Sequence, residues 1–263
     1  MKKEVIKLGS KGELVCYLQR ILKSIGHLEL VIDGDFGKRT DMVVRGFQRS
    51  FGMKEDGVVG NKTWEQLEKV SLCISEEEYE GAAKELEVEV AVIKAVKEVE
   101  TGGRGGFLEP GKPTILFEGH VFWKELKKRG INPENYVKGN EEILYPKWTK
   151  SHYLGGTKEY YRLERAISIN REAALSSASW GMFQIMGFNY GSCDCSSVED
   201  FVSKTKISEG EQLRLFVEFI KSNKLTSYLQ KKDWAGFAYK YNGPGYKENK
   251  YDDKLEKAYK KYC

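Results

Sequence analysis

Glu100 closes an apolar run that extends from Val88 and stands directly before Thr101-Gly102-Gly103. At 100° per residue, Val88, Val92, Ala95, Val96 and Val99 share one face of the predicted helix. Glu100 falls at the edge of that face, beside Ile93 and Val96. A carboxyl pressed against aliphatic side chains loses hydration, and lost hydration favours the neutral acid. The negative pole at a helix C-terminus acts in the same direction. The chemistry this predicts is general acid catalysis near neutral pH. The alternative is a plain helix end, although a carboxylate opposes the dipole there. Glu98 points nearly the opposite way, four residues after Lys94, where an exposed ion pair is expected.

Three further segments offer side chains for such an acid to work with. Ile115-Leu116-Phe117-Glu118-Gly119-His120 places a second carboxylate and an imidazole together. Ser179-Trp180-Gly181-Met182-Phe183-Gln184-Ile185-Met186 sets a Gln in an aromatic turn, and Tyr241-Asn242-Gly243-Pro244-Gly245-Tyr246 is a second aromatic and amide turn. Rings cover sugar faces, and amides bind hydroxyl and acetamido groups. Cleavage of a glycosidic bond needs one protonated acid and a second group that activates water or steadies the oxocarbenium ion. Each segment also has a structural reading. Glu118 can simply pair with a cation, His120 can be structural, Met182, Phe183 and Met186 suit a core, and Tyr241-Asn242 can be a plain turn.

Other chemistries fit less well. Gly106-x-x-x-x-Gly111-Lys112 continues into Pro113 and follows a helix, whereas a phosphate loop needs a preceding strand and a Ser or Thr. No Gly-x-Ser-x-Gly elbow occurs. The histidines (His27, His120, His152) and the cysteines (Cys16, Cys73, Cys193, Cys195, Cys263) form no ligand pattern, so no metal and no cofactor are expected. The odd cysteine count argues against a disulfide framework.

These groups must be positioned by a chain of 263 residues, long enough for two domains. It is 40% hydrophobic and 31% charged, within the ordinary globular range, and has no run long enough to span a membrane. A net charge of +4 suits an anionic polymer without choosing one, and no nucleic-acid motif is visible. The lysine-rich run from Lys247 to Lys261 reads as a solvated helix face. The N-terminus has no apolar core of a signal peptide, which predicts cytoplasmic synthesis.

The first 70 residues repeat a pattern. Asp33-Gly34-Asp35-Phe36-Gly37-Lys38-Arg39-Thr40 returns as Asp56-Gly57-Val58-Val59-Gly60-Asn61-Lys62-Thr63. Apolar residues at helical spacing flank both turns: Leu14, Val15, Leu18, Leu22 and Ile25; then Val43, Val44, Phe47 and Phe51; then Trp64, Leu67 and Val70. The pattern predicts three helices with two Asp-Gly loops. A boundary is expected at residues 71–76, and from 77 to 263 a larger, mainly helical domain with helices near 165–177, 181–187, 197–204, 208–223, 233–240 and 250–262.

Leu8-Gly9-Ser10-Lys11-Gly12, Leu18-Gln19, Phe47-Gln48 and the two repeats resemble the three-helix peptidoglycan-binding domain family. Val99-Glu100-Thr101-Gly102-Gly103, Pro113-x-Ile115-Leu116-Phe117-Glu118-x-His120-x-Phe122, Ala178 to Gly187 and Tyr241 to Tyr246 resemble the phage-type N-acetylmuramidase endolysins of the lysozyme-like superfamily, over roughly residues 76–263. The resemblance implies a mainly α fold: a small three-helix bundle followed by a larger lysozyme-like α+β catalytic domain. It implies that Glu100 is the general acid and that Gln184, Tyr241 and Asn242 contact the sugar. Thr101 stands where many relatives have Ser. Glu118 is the candidate second carboxylate, with His120, Ser179 and Trp180 as further substrate contacts, and Asp35, Gln48 and Asp56 as wall contacts in the small domain. The expected partner is bacterial peptidoglycan, with no nucleic acid and no membrane insertion, for a monomer made in the host cytoplasm and released through holin pores. The expected reaction is cleavage of the β-1,4 bond between N-acetylmuramic acid and N-acetylglucosamine. A lytic transglycosylase, a non-catalytic wall-binding or virion protein and, more remotely, a chitinase are the alternatives.

Overall fold

The computed structural model describes residues 4–25, 27, 29–102, 105–109 and 111–263. The chain divides into two compact units, Met1–Ser75 and Glu76–Cys263.

In the first unit, α1 (Glu13–Ser24), α2 (Lys38–Ser50) and α3 (Asn61–Ser71) each follow a glycine at the N-cap position. Val15, Leu18, Leu22, Phe36, Val44, Phe47, Trp64 and Leu67 form its core. The repeat has a clear physical basis. Gln19 Nε2 donates to Asp33 Oδ1 (2.8 Å) and to the Asp35 carbonyl (3.1 Å), and Gln19 Oε1 accepts the Gly34 amide (3.0 Å). Gln48 Nε2 repeats this with Asp56 Oδ1 (3.1 Å) and the Val58 carbonyl (3.0 Å), and Gln48 Oε1 accepts the Gly57 amide (2.9 Å). Each Asp-Gly loop is therefore braced by one buried glutamine, which satisfies backbone groups that burial would otherwise leave unpaired. Gln48, expected to meet a ligand, is only 1% exposed and is occupied with this brace. Asp56 also accepts the Val58 amide, while Asp35 is half-exposed and ion-paired with Lys11 at 2.9 Å.

The second unit opens with α4 (Glu76–Leu86) and α5 (Val90–Thr101). Residues 72–75 thus separate the last helix of one unit from the first of the next. A hairpin follows, β1 (Phe107–Glu109) paired antiparallel with β2 (Lys112–Pro113), then β3 (Ile115–Phe117) and α6 (Gly119–Lys128). Next come α7 (Lys158–Ile169) and α8 (Arg171–Ser176). The single helix expected over 165–177 is broken at Asn170, whose side chain caps α8 by accepting the Ala173 amide. β4 (Ala178–Trp180) pairs antiparallel with β3 and with β5 (Ile185–Met186). The helix expected at 181–187 is therefore a hairpin turn, because Gly181 (φ 69°) and Gln184 (φ 49°) both take the left-handed backbone that a helix excludes. α9 (Val198–Thr205), α10 (Glu209–Ser222), α11 (Thr226–Gln230), α12 (Trp234–Asn242) and α13 (Tyr251–Tyr262) complete the unit. α5 packs between α4 and α13, burying Val92, Ile93, Ala95 and Val96. The mainly helical fold is the one the sequence predicts, with the strands confined to the segment that faces Glu100.

Candidate active site

Glu100 stands in the last turn of α5, which Gly102 terminates with a left-handed residue (φ 56°). Its half-buried carboxyl borders a cavity of about 670 Å³. Thr101, Gly105, Phe107 and Leu108 line one part of it, Thr114 and Leu116 of the sheet another, and Gly181, Met182 and Gln184 of the hairpin a third. Asn242 Nδ2 donates to the carboxyl at 3.2 and 3.5 Å. Among the described residues no cation pairs with Glu100. Burial outweighs the single amide and pushes the acid up to about 7. The carboxyl is thus able to carry a proton near neutral pH.

Glu98 differs, as expected, but through other partners. Lys261 Nζ and the Tyr262 hydroxyl of α13 donate to it at 2.7 and 2.5 Å, holding it below the usual carboxylate range. Lys94 is drawn instead to Glu76 at 2.7 Å. The packing of α13 and α4 against α5 replaces the predicted Lys94–Glu98 pair.

The residues around the acid are largely held by backbone. The Tyr241 hydroxyl donates to the Phe183 carbonyl at 2.9 Å, and its ring stacks on Phe237 with the edges of Phe216 and Phe219 against it. Tyr241 thereby fixes the end of α12, where Asn242 reaches Glu100. Its hydroxyl, expected to meet sugar, is committed to the hairpin. Gln184 lines the cavity, while its amide donates to the carbonyls of Gly181 (2.8 Å) and Thr114 (3.3 Å) and its oxygen accepts the Ser179 hydroxyl (2.8 Å). Ser179 is itself buried and acts as a support for Gln184. Trp180, expected as a sugar contact, is 3% exposed and donates its indole N–H to the Leu175 carbonyl. The strand alternation of β4 turns its ring to the core, so it is a packing residue.

Glu118 follows β3, two residues beyond Leu116 and therefore on the same strand face. Both its oxygens accept the Tyr153 hydroxyl at 2.8 Å, and His120 Nδ1 lies 3.3 Å away. Burial pushes the His120 imidazole down. Trp148, 58% exposed, adjoins this cluster through Tyr153.

The N-acetylmuramidase family matches residues 89–263, more than half of the chain. The chain belongs to the N-acetylmuramidase family. Residues 11–67 match the peptidoglycan binding domain family. The crystal structure of the endolysin of Burkholderia AP3 phage is similar to this muramidase-family chain with a TM-score of 0.68 and 38% identity, covering 98% of this chain and 99% of that one. The spore cortex-lytic enzymes of Halalkalibacterium halodurans and Bacillus subtilis are 43% identical over 68 residues and 45% identical over 65 residues. Those matches cover 26% and 24% of this chain, and the chain spans about a fifth of each enzyme's length (21%).

Sequence reasoning missed four residues that build the muramidase-family site. Glu209 Oε1 accepts the Gly106 amide at 2.6 Å, and Gln212 accepts the Met182 amide at 2.7 Å while donating to the Thr205 carbonyl at 2.8 Å. Both are buried, and together they anchor two walls of the cavity to α10. A Cβ on Gly181 would stand 2.7 Å from the Gln212 side chain, which explains glycine there. Behind β3, Glu159 accepts the amides of Phe117, Leu154 and Gly155 and pairs with Arg162 at 2.8 Å. Arg162 in turn donates to the carbonyls of Phe117 and Glu142. A charged pair three residues apart on a helix reads as a surface pair, so its burial leaves no sequence signal.

Proposed function

We propose that the protein is a modular endolysin that cleaves the β-1,4 bond between N-acetylmuramic acid and N-acetylglucosamine of bacterial peptidoglycan. One observation carries the reading: a carboxyl with no cationic partner among the described residues borders a cavity of sugar-binding size and is pushed to about 7 by burial. In this mechanism Glu100 donates its proton to the glycosidic oxygen as the bond to the muramic acid anomeric carbon breaks. Glu118, steadied by Tyr153, takes a proton from the water that attacks that carbon. Asn242 supports the Glu100 anion left behind. The small unit holds the enzyme on its polymer and raises the local substrate concentration. Likeness to a phage endolysin over nearly the full length supports a role in lysing a bacterial host, with release from the cytoplasm through holin pores as part of the same reading.

The test is digestion of purified peptidoglycan followed by mass spectrometry. Fragments ending in reducing muramic acid are expected, and Glu100→Gln should release none while still sedimenting with the wall. Fragments ending in reducing glucosamine would overturn the assigned bond. A second reading has its own observation: among the described residues lining the cavity, Glu100 is the one carboxylate. A lytic transglycosylase needs no second carboxylate, and 1,6-anhydromuramic acid as the main product would identify it.

A further inference from the structure

A second groove, of about 740 Å³, lies between α5 and α13. Lys97 of α5 and Lys254, Lys257 and Lys261 of α13 line it, with Glu98 the only carboxylate among its described lining residues. Glu98 is satisfied by Lys261 and Tyr262. Lys97, Lys254 and Lys257 have no carboxylate within ion-pair distance among the described residues, although Asp and Glu are nearly as numerous as Lys and Arg in this chain (39 against 43). On α13 the lysines at 254, 257 and 261 recur every three to four residues and so form one stripe. Three of the lining lysines thus come from the lysine-rich α13, and α5 adds Lys97 across the groove.

The groove and the catalytic cavity are lined by different residues of the same C-terminal end of α5. Lys97 and Glu100 are three residues apart on α5, neighbours on the helix surface separated by about 4.5 Å along its axis. Val99 and Gly102 border the lysine groove, while Glu100 and Thr101 border the catalytic cavity. A muramic acid seated at Glu100 carries, on its lactyl ether, a peptide with several free carboxylates. Three extended residues of such a peptide cover about 10 Å, enough to leave the cavity over the end of α5 and run along α13.

We propose that this groove binds the acidic stem peptide of the glycan being cleaved, so that Lys97, Lys254 and Lys257 make the enzyme prefer peptide-bearing over bare glycan. The inference rests on the muramidase reading above. The peptide carboxylates meet ammonium groups that have no ion-pair partner at close range among the described residues, and the groove adds affinity without touching the scissile bond. Its contribution falls in KM and weakens with salt, as exposed charge pairs are screened.

The experiment compares the full chain with the triple variant Lys97→Gln/Lys254→Gln/Lys257→Gln on two substrates: intact peptidoglycan, and the same glycan stripped of peptides by an amidase. Removing three exposed charge pairs should raise KM about tenfold on the peptide-bearing substrate with kcat unchanged. On stripped glycan the two proteins should be indistinguishable. Equal KM of wild type and variant on the intact substrate, or equal losses on both, overturns the proposal. Titration of a soluble acidic muropeptide against both proteins by calorimetry gives an independent answer: weaker binding by the variant supports the groove, and equal binding rejects it. If wild type releases no glycan from either substrate, the muramidase reading fails, and calorimetry still decides the groove. A variant that loses affinity for wall phosphate polymers but not for muropeptide also overturns the assignment.

Discussion

Glu100 and Glu159 are the same residue type, each withdrawn from bulk water, and the fold treats them in opposite ways. Glu159 meets three backbone amides and the Arg162 guanidinium, and it has no exposed surface. Among the described residues Glu100 meets one amide. Around Glu159 the donors complement a carboxylate, and the result is a rigid clamp on the end of β3 and the 154–155 loop. Around Glu100 the described residues offer one donor, so desolvation decides and the proton is retained up to about 7. The difference shows that burial alone does not specify a carboxyl's role. The number of donors aimed at it does.

Breaking the Glu100 side of this contrast has the largest expected effect. Glu100→Gln should reduce kcat by about a thousandfold or more, as loss of a general acid does. It should also alter stability in a direction the sign of the shift fixes. The folded acid is raised from 4.5 to about 7, so the wild type binds the proton more tightly when folded. That stabilisation is complete below 4.5 and is lost as pH rises through 7. The Gln variant does not titrate, so above pH 7 it should be more stable than wild type by up to about 3 kcal/mol. Below pH 4.5 the advantage should vanish. Denaturant unfolding at pH 4 and pH 8 measures both ends, and a variant less stable at pH 8 would remove the argument that the site holds its proton against ionisation.

The Glu159 side breaks differently. Arg162→Met leaves a carboxylate in a dry interior with its ion-pair partner gone, at a cost of about 3–5 kcal/mol. The expected loss appears in unfolding free energy, and the pH at which the enzyme loses its acid should stay where it was. A pH profile that shifts with Arg162→Met would mean that the clamp reaches Glu100, and that the two regions are not separate.

The contrast also explains what was legible in the sequence. Glu100 could be read because its surroundings are local: Ile93, Val96 and Val99 lie on its own helix, and helical periodicity alone places them. The three helices of the small unit were legible for the same reason. Glu159 could not be read, because its donors come from residues 117, 154 and 155 and burial depends on tertiary packing. Residue type alone points Gln48 and Trp180 toward a ligand, since an amide or an indole suits a sugar. Whether such a group faces solvent or a backbone carbonyl is decided by the loop or strand face that carries it. The hairpin stands where periodicity predicts a helix at 181–187 because Gln184 adopts a left-handed conformation that its side chain does not advertise.

Glu118 sits between the two extremes, and a smaller effect should place it. Its carboxylate accepts from Tyr153 and faces His120. If it draws the proton from attacking water, Glu118→Gln should lower kcat by about a hundredfold, within the usual range for a general base. Tyr153→Phe should lower kcat less, because it removes a positioning contact and leaves the carboxylate. The product in both variants should still end in reducing muramic acid. Undiminished turnover of Glu118→Gln would shift the assignment to the transglycosylase.

The finest test concerns the one amide that Glu100 does keep. Asn242 Nδ2 favours the Glu100 anion and so opposes the effect of burial. Asn242→Ala removes that donor, so the acid should hold its proton to higher pH. The alkaline limb of the kcat/KM profile should move upward by less than about one pH unit, since one weak hydrogen bond is lost. Stability should change little for a specific reason. Asn242 Oδ1 is buried without a hydrogen-bond partner among the described residues, so its removal relieves a desolvation cost while the shortened side chain leaves a small void. These two effects have opposite signs and similar size. A limb that moves downward would show that Asn242 accepts the acid's proton instead of donating to its anion, reversing the orientation of the amide at the centre of the site.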